Sequence, residues 1–410
     1  MSLTINPNRF QADFDALAEF GATGDGGVHR PCWSDAHLAA QRWWLARAEA
    51  AGLETHRDSA GNCSAVLRST QDSARTLLLG SHTDSVPNGG RFDGALGVMA
   101  ALEAVRALKD AGLSLPVNVE AIDFSDEEGT LVGELGSSAL AGHLLPAVLA
   151  APRGGRAAFE AALARAGLTE AGLFAARRDP ATLAGYLELH IEQGPELARQ
   201  ALPIGVVTSI VGITSFQLTY RGQANHAGTT PMAGRRDAAQ GAAAFTLAAR
   251  EMVLRDFAGC TANVGQISLS PGAFNIIPGE ARLALEFRSL DPAQLQDLET
   301  SLLGLADLIA RRYGLTVGVE PFGGCAPAPM GQKAQAAIAT AAESLSLAHT
   351  ALPSGAGHDA QSLAPITETG MIFIPSRDGV SHSPLEYSDW DQCVDGANVL
   401  LRAALALAEG

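Results

Sequence analysis

Cysteine is scarce in this chain, and its spacing excludes two common uses. Only five of the 410 residues are cysteines, an odd number without a CxxC pair. Neither a disulfide framework nor a thiolate zinc site is therefore predicted. We expect free thiols that pack as small hydrophobic groups. They are Cys32, Cys63, Cys260, Cys325 and Cys393.

Basic residues are few compared with acidic residues. The chain has 28 Lys and Arg against 44 Asp and Glu, which gives a net charge of −16 and a pI near 5.0. Bulk electrostatics of this sign argue against nucleic acid and anionic membranes as partners. A locally cationic pocket remains compatible with this charge.

The sequence also has no long apolar run and no secretory pattern at its start. No uninterrupted apolar run reaches the ~18 residues of a membrane-spanning helix. The opening residues, MSLTINPNRF, lack the charged and apolar regions of a signal peptide. We therefore expect a cytoplasmic protein. The glycine-rich segment GATGDGGVHRP does not contain GxxxxGK[ST], so it is not predicted to bind a nucleotide.

Hydrophobic residues are abundant enough for a large core. They make up 47% of the chain, and the mean hydropathy is +0.11. A globular protein of two or three domains is predicted from this composition and length.

The first candidate site residues lie in TLLLGSHTDSVPNGGRFDGALG, residues 76–97. Its apolar start predicts a buried strand of a parallel sheet that opens at Gly80 into a loop. The loop carries His82 as a potential metal ligand, Asp84 as a carboxylate that could hold its ring, and Asp93 as a possible bridging ligand. Taken alone, this segment also fits a polar loop with a surface histidine.

Two later strands end at residues of the same kind. The strand VNVEAIDF (117–124) precedes Glu127 and Glu128, which could serve separately as a base and as a metal ligand. By itself this pair also fits a solvated acidic turn. The segment GYLELHIEQGP delivers His190 at the end of a third strand. Because sites in open α/β sheets lie outside the carboxyl ends of the strands, the recurrence favours one active site there.

From about residue 212 the pattern becomes β-α-β-β-α-β, which is the ferredoxin-like order. The predicted strands are 213–220, 261–269, 281–288 and 315–320, and the helices are 235–253 and 292–312. We interpret 212–329 as an inserted domain and assign 1–211 with 330–410 to the first domain. The inserted part carries His226 in NHAGTTP, Asn275 and Arg288. Surface loop residues and a salt-bridged arginine remain the alternative for these three.

The returning part of the first domain contributes two more loops. PSGAGHDAQ (353–361) is glycine-rich and holds Gly357 and His358. A buried strand at 371–374 precedes the loop that carries His382. Together the loops supply three imidazoles and two carboxylates, a set suited to two borderline divalent ions that share one carboxylate. The set is His82, Asp93, Glu128, His190 and His382.

Six segments closely resemble the M20 family of metallopeptidases. They are GSHTDSVPNGGRFDGALG, FSDEEG, LELHIEQGP, NHAGTTPM, SGAGHDA and MIFIPSRDGVSHSP, and they span nearly the whole chain. Within the family they resemble the amidase/hydantoinase/carbamoylase group, which includes N-carbamoyl-L-amino acid hydrolases, β-ureidopropionases and allantoate amidohydrolases. Thr130-Leu131 departs from the pattern, where a serine or an arginine-like residue is expected, and this concerns the pocket wall.

The resemblance implies an α/β fold: a mostly parallel-sheet di-metal catalytic domain with an inserted ferredoxin-like α+β dimerisation and lid domain. It implies that Asp93 bridges two divalent ions of zinc, manganese, cobalt or nickel. His82 and His190 would complete one metal site, and Glu128 and His382 the other. The ligand types do not choose among these metals.

The remaining roles also follow from the resemblance. Glu127 would be the catalytic base, and Asp84 would orient the His82 ring. The protein would be a homodimer in which His226 reaches the partner's active site and stabilises the oxyanion. The expected substrate contacts are Gln193, His226, Asn275, Arg288, Gly357 and His358.

The predicted reaction is hydrolysis of the carbamoyl C–N bond of N-carbamoyl-L-amino acids. Allantoate or ureidoglycolate hydrolysis, β-ureidopropionase activity and dipeptide cleavage are the alternatives within the family. HIEQGP and NHAGTTPM favour the ureido-hydrolysing group over peptidases. An inactive metal-binding protein is a further alternative, but it would have no need of Glu127 beside Glu128. The side chain of the substrate is left open.

Overall fold

The computed structural model describes residues 3–72 and 74–409. Its helices are α1 Pro7–Ala18, α2 Asp35–Ala50, α3 Ala95–Asp110, α4 Leu135–Ala141, α5 Pro146–Ala150, α6 Arg156–Ala166, α7 Glu170–Ala175, α8 Glu196–Gln200, α9 Ala238–Asp256, α10 Pro292–Arg312, α11 Gln332–Ser344, α12 Asp359–Leu363 and α13 Trp390–Glu409. Its strands are β1 Glu54–Arg57, β2 Cys63–Leu67, β3 Thr76–His82, β4 Asn118–Phe124, β5 Leu183–Ile191, β6 Ile204–Ile210, β7 Gly212–Arg221, β8 Asn225–His226, β9 Thr261–Ser270, β10 Ile276–Ile277, β11 Glu280–Ser289, β12 Thr316–Cys325, β13 Ala328–Pro329, β14 His349–Ser354 and β15 Thr369–Ile374.

The described residues fall into two compact units. The first lies within residues 1–208 and 329–410, and the second lies within 209–328. The first boundary is therefore at 208/209, whereas the sequence placed it at 211/212. Among the described residues, none of the helices combines the length and apolarity needed to cross a bilayer.

The first unit is built on a nine-stranded sheet in the order β1-β2-β4-β3-β5-β15-β6-β13, with β14 paired to β6. The four strands β4, β3, β5 and β15 are mutually parallel. Antiparallel strands flank them, because β2 pairs with β4 and β6 pairs with β15 in that sense. The mixed α/β fold with a mostly parallel central sheet is thus confirmed. The flanking strands β1 and β2 were not predicted.

Strand β3 explains how the sheet reaches the candidate site. Leu77, Leu78 and Leu79 are fully buried, as expected for a strand covered on both faces. The strand does not open at Gly80, as we predicted, but continues to His82. A Cβ at Gly80 would overlap the main-chain oxygen of Ile122 on β4, so only glycine allows this close pairing.

The strand register brings the carboxyl ends of the central strands to one edge. His82 of β3 lies opposite Phe124, the last residue of β4. His190 of β5 lies opposite Phe373, the penultimate residue of β15. The four loops that follow these strands therefore begin side by side.

Side-chain caps stand at the start of helices α1 and α2 of the first unit. Asn6 accepts a hydrogen bond from the N–H of Arg9 at the start of α1. Ser34 caps α2, since its hydroxyl accepts from the N–H of His37. The alanine-rich stretch from 135 to 175 forms the four short helices α4 to α7.

The second unit has the predicted β-α-β-β-α-β order, formed by β7, α9, β9, β11, α10 and β12. Its four strands are ordered β12-β7-β11-β9, and every neighbouring pair is antiparallel. Apolar side chains from both helices and the sheet form its core, including Phe245, Leu302 and Phe287. A two-stranded sheet of β8 and β10 joins the segments that carry His226 and Asn275.

Candidate metal centre

The Asp93 carboxylate lies at the centre of two groups of potential metal ligands. The first triad contains His82, Asp93 and His190, and the second contains Asp93, Glu128 and His382. Within each triad the ligand atoms lie within 4.8 Å of one another. The structure thus brings together all five residues that the sequence analysis assigned to metal binding.

The two oxygens of Asp93 face different triads. Oδ1 lies 3.1 Å from His190 Nε2 and 3.7 Å from His82 Nε2. Oδ2 lies 3.3 Å from His382 Nε2, and that nitrogen also lies 3.3 Å from Glu128 Oε2. The Asp93 carboxylate is therefore placed to contribute one oxygen to each of the two ligand triads.

Main-chain carbonyls fix the imidazoles of the first triad. His82 Nδ1 donates to the carbonyl oxygen of Asp84 at 3.0 Å, and His190 Nδ1 donates to that of Ile191 at 2.8 Å. This leaves Nε2 of both rings facing the Asp93 carboxylate as the ligand atom. The Asp84 carboxylate, which we expected to hold the His82 ring, lies farther away, at 3.9 Å from Nδ1. Asp84 holds the ring through its main-chain oxygen instead.

Burial and the mutual charges shift the pKa values of this cluster strongly. Burial lowers the pKa of His82 to about 4. Burial also acts against the charge on His190, but its hydrogen bond with Asp93 raises the pKa of His190 to about 9. Although burial disfavours a charged Asp93, the hydrogen bonds from His190 and His382 hold its pKa well below the usual range. Asp93 is therefore an anion that accepts hydrogen bonds from the imidazoles of His190 and His382.

Glu127 borders the first triad without being a member of it. Its Oε2 lies 3.4 Å from His82 Nε2, and its N–H donates to Asp84 Oδ1 at 3.3 Å. Burial raises the pKa of Glu127 well above that of an ordinary glutamate, and the charge of Glu128 raises it further. A carboxyl group whose pKa is raised in this way suits proton transfer near neutral pH.

Three of the predicted substrate contacts lie in the first unit. Gln193 has a left-handed backbone, with φ of 57°, and its amide donates to Asp93 Oδ2 at 2.8 Å. Within residues 3–72 and 74–409, the buried Oε1 of Gln193 has no hydrogen-bond partner. The His358 ring packs edge-on against His190 at 4.5 Å between centroids, and its Nε2 lies 2.8 Å from Ser354 Oγ. Gly357 immediately precedes this ring.

The other three lie in the second unit. His226 is exposed, and its Nδ1 accepts from the N–H groups of Gly228 and Thr229, so its Nε2 carries the proton. Asn275 lies beside it, because its carbonyl oxygen accepts from the N–H of Ala227. Arg288 forms an ion pair with Glu286 of the same strand at 2.8 Å.

Sequence reasoning missed two residues that contact Asp93. Ser381 donates to Asp93 Oδ2 at 3.1 Å, and Glu386 accepts from the N–H of Asp93 at 3.0 Å. Their position next to His382 in the same loop was the available signal. A residue that acts by accepting main-chain hydrogen bonds has no sequence pattern of its own.

Comparison with known proteins identifies the family. The sequence profile of peptidase family M20/M25/M40 matches residues 78–406. The chain belongs to this family. It is 37% identical to "N-carbamoyl-L-amino acid amidohydrolase" of Geobacillus stearothermophilus, over 96% of this chain and 97% of that protein. It is 33% identical to "Allantoate amidohydrolase" of Bacillus subtilis, over 96% of this chain and 95% of the relative.

A solved structure agrees with this assignment. The crystal structure of an "Amidase, hydantoinase/carbamoylase family" protein from Burkholderia multivorans matches with a TM-score of 0.89 and 33% sequence identity. The match covers 100% of both chains. The recognition of the family from its six sequence segments is therefore confirmed.

Enzymes of the M20 family use divalent metal ions, and the residues of this member fit such ions. Imidazole nitrogens and carboxylate oxygens are suitable ligands for borderline divalent cations. The Nε2 atoms of His82 and His190 face Asp93 Oδ1, and Asp93 Oδ2 faces His382, so these potential ligand atoms converge in two groups. Among the residues that the structure describes, these two triads are candidate metal-binding clusters that share Asp93; a third group, Glu188, His190 and His358, shares only His190 with them.

Proposed function

We propose that this chain hydrolyses the carbamoyl C–N bond of N-carbamoyl-L-amino acids, giving the amino acid, ammonia and carbon dioxide. The observation that carries the proposal is the Asp93 carboxylate shared between two ligand triads, with Glu127 beside them. The full-length similarity to proteins named N-carbamoyl-L-amino acid amidohydrolase supports it.

Two divalent ions are proposed to bind, each held by one triad with Asp93 in common. Zinc, manganese, cobalt and nickel all suit the donor set. Ions bound there polarise the substrate carbonyl and make water acidic enough to attack at neutral pH. A ureido carbonyl is a poor electrophile, so it needs both effects.

Glu127 moves the proton in this proposal. It accepts a proton from the attacking water and then delivers it to the departing nitrogen. Its raised pKa lets it hold that proton between the two steps. Asp84 supports the site by fixing the His82 ring and by accepting the N–H of Glu127.

The substrate is proposed to bind through the donors and acceptors of the contacts predicted from sequence. Gln193 Oε1 offers an acceptor for a substrate N–H, and the loop at Gly357 and His358 lines the site. Arg288 and Asn275 bind the α-carboxylate, since a planar guanidinium grips a carboxylate in a bidentate manner. Arg288 would have to exchange its present partner, Glu286, for the substrate.

The second unit is proposed to be an inserted ferredoxin-like lid and dimerisation domain. In a homodimer, His226 would complete the active site of the partner subunit and stabilise the oxyanion. Its tautomer supports this role, because the proton on Nε2 makes that atom a hydrogen-bond donor. A cytoplasmic location remains part of the proposal, with a small ureido compound as the substrate.

Allantoate hydrolysis is the second candidate function. The observation that favours it is the 33% identity to the B. subtilis allantoate amidohydrolase. Allantoate also carries a carboxylate and ureido groups, so the same ligands and base would serve it. N-carbamoyl-β-alanine, the substrate of β-ureidopropionases, also carries a ureido group and a carboxylate. Its carboxylate lies one carbon farther from the ureido nitrogen than that of an N-carbamoyl-L-amino acid.

The test is ammonia release by the Mn²⁺-reconstituted protein from a matched set of compounds. The set contains several N-carbamoyl-L-amino acids, N-carbamoyl-β-alanine, allantoate and dipeptides. The proposal predicts the highest kcat/KM for an N-carbamoyl-L-amino acid. A higher value for allantoate would favour the second candidate, and a higher value for a dipeptide would overturn both.

A further inference from the structure

The buried Glu386 carboxylate contacts the main chain at Asp93 with one oxygen and the loop that carries His382 with the other. Its Oε1 accepts from the N–H groups of Phe92 and Asp93 at 2.9 and 3.0 Å. Its Oε2 accepts from Ser381 Oγ at 2.8 Å. Glu386 is only 4% exposed, so these contacts are shielded from water. One side chain therefore ties the loop after β3 to the loop after β15.

Ser381 continues this connection to the ligand atoms. Its hydroxyl lies 2.8 Å from Glu386 Oε2 and 3.1 Å from Asp93 Oδ2, and it has one proton for these two acceptors. Ser381 also immediately precedes His382, a member of the second triad. Any displacement of Glu386 is thus transmitted to Oδ2 and His382 together. The first triad uses the other oxygen, Oδ1.

The second triad needs such an anchor more than the first. The His382 side chain is 52% exposed, whereas those of His82 and His190 are 1% exposed. His382 also has a left-handed backbone, with φ of 55°, which is unfavourable for a residue other than glycine. The surroundings must hold this conformation, and core packing cannot do so for an exposed side chain.

The fit around Glu386 is tight on its remaining side. A Cβ added at Gly90 would overlap the Glu386 side chain. Gly90 therefore gives the carboxylate the space to reach the main chain of Phe92 and Asp93. Replacing this glycine would displace Glu386 without altering any atom of the two triads.

We propose that Glu386 is a positioning residue for the second ion, the one held by Glu128, His382 and Asp93 Oδ2. This inference rests on the proposed two-ion site. Glu386 sets the orientation of the shared carboxylate and the position of His382, and it does not bind the ion itself. Residues that orient metal ligands in this way typically contribute 10- to 100-fold, as an order of magnitude, in metal affinity.

The experiment measures metal binding, independently of activity. Wild type, Glu386→Ala and Ser381→Ala are stripped of metal and titrated with Mn²⁺ by calorimetry, with elemental analysis after gel filtration. Wild type should bind two ions per chain. Glu386→Ala should keep the first affinity and lose about 10- to 100-fold in the second. Ser381→Ala should lose less, because the main-chain contacts of Glu386 remain.

A double-variant comparison identifies which ion is affected. Once His382→Ala has weakened the second site, adding Glu386→Ala should cause little further loss, because both changes act on the same ion. Gly90→Ala should reproduce the effect of Glu386→Ala in weaker form. In electron paramagnetic resonance, the coupled Mn²⁺ pair of the wild type should become an uncoupled single ion in Glu386→Ala.

Glu103→Gln is the control for a general loss of stability. Glu103 is a buried carboxylate that accepts from the N–H of Asn6 and pairs with Arg9, outside both triads. This variant should lower Tm yet bind two ions as the wild type does.

Three results decide the inference. Wild-type affinity for the second ion in both Glu386→Ala and Ser381→Ala would overturn it, as would an equal loss for both ions in these variants. If Glu386→Ala fails to fold, Ser381→Ala and Gly90→Ala decide the question by the same criteria. A wild type that binds a single ion would instead overturn the two-ion site itself.

Discussion

At the scale of single residues, neighbouring carboxylates of the site differ in their pKa values and in the side chains that they face. Asp93 stays charged because imidazoles donate to it, whereas burial raises the pKa of Glu127. The adjacent Glu128 faces His382 at 3.3 Å, while Glu127 faces His82 at 3.4 Å. The proposed metal ligand Glu128 and the proposed proton carrier Glu127 therefore face different imidazoles although they are adjacent in sequence.

Glu127→Gln should retain metal and lose most turnover. The change removes a proton carrier while the members of both triads remain. General acid-base groups contribute about 10²- to 10⁴-fold, so kcat should fall by that factor. Elemental analysis and steady-state kinetics on the same preparation test this prediction. A variant that keeps more than half of the wild-type kcat would contradict the role of Glu127 as base.

The buried Asp123 carboxyl should make stability depend on pH. Burial raises its pKa to about 7, whereas an aspartate in an unfolded chain titrates near about 3.9. Between these values the folded state binds more protons than the unfolded state. Stability from this residue is therefore complete below about pH 4 and is lost as the pH rises to about 7.

Asp123→Asn should remove this dependence. At pH 5 the variant should resemble the protonated wild type, and at pH 8 it should gain relative to wild type. From about 1.4 kcal/mol per pKa unit, the wild type loses about 3 kcal/mol between pH 5 and the folded pKa near 7, so the variant should gain about that much at pH 8 relative to pH 5. Urea denaturation of the metal-saturated proteins at both pH values measures it. The same difference between variant and wild type at pH 5 and pH 8 would show that Asp123 does not titrate in this range.

At the scale of secondary-structure elements, Glu188 joins three of those that carry the site. From β5 its carboxylate accepts from Ser81 Oγ on β3 at 2.8 Å, from Tyr186 OH at 3.0 Å, and from the N–H of Ala360 on α12 at 3.0 Å. Ser81 and Ala360 each lie within two residues of a predicted site residue. Stability and site geometry are linked through this one group.

Glu188→Ala should cost on the order of 2 to 4 kcal/mol in the free energy of unfolding, because it leaves two buried donors, Ser81 Oγ and the N–H of Ala360, without this acceptor, while Tyr186 OH keeps the carbonyl oxygen of Gly80. The matched control is Glu192→Ala, which removes two main-chain hydrogen bonds at the start of the surface helix α8 and should cost about 1 kcal/mol. Denaturant titrations compare the two. A loss for Glu188→Ala no larger than for the control would rule out this linking role.

Sequence patterns predicted elements best where burial is continuous. The apolar runs of β3, β4, β5 and β15 predicted the central sheet. The candidate ligands that follow these runs predicted the edge of the sheet at which the site lies. The short helices α4, α5 and α7 were missed, because five to seven residues are too few for a clear helical period. The flanking strand β1 is mostly exposed and therefore lacks an apolar signal.

The residues of the site could be predicted better than the atoms through which these residues make their contacts. Asp84 was identified from sequence, but its carbonyl oxygen holds the His82 ring and its carboxylate does not. Glu386 was not foreseen, because two of its partners are main-chain N–H groups, which every residue except proline possesses. Such contacts depend on the folded path of two distant loops, which local periodicity does not encode.

At the scale of the whole molecule, we expect a homodimer whose active sites are completed by the partner subunit. His226→Ala and Glu127→Gln should each be nearly inactive alone. Mixed under conditions that allow subunit exchange, they should regain up to one working site per heterodimer. Ammonia release before and after mixing measures this recovery. If the subunits exchange and no activity returns, His226 does not act in the partner's site.

The central claim is a two-ion amidohydrolase site divided by Asp93, and a metal titration of activity tests it most directly. Metal-free protein is titrated with Mn²⁺, and ammonia release from an N-carbamoyl-L-amino acid is followed at each step. We expect no release without metal and a maximum at two ions per chain. Full activity without metal, or no release at any stoichiometry, would contradict it.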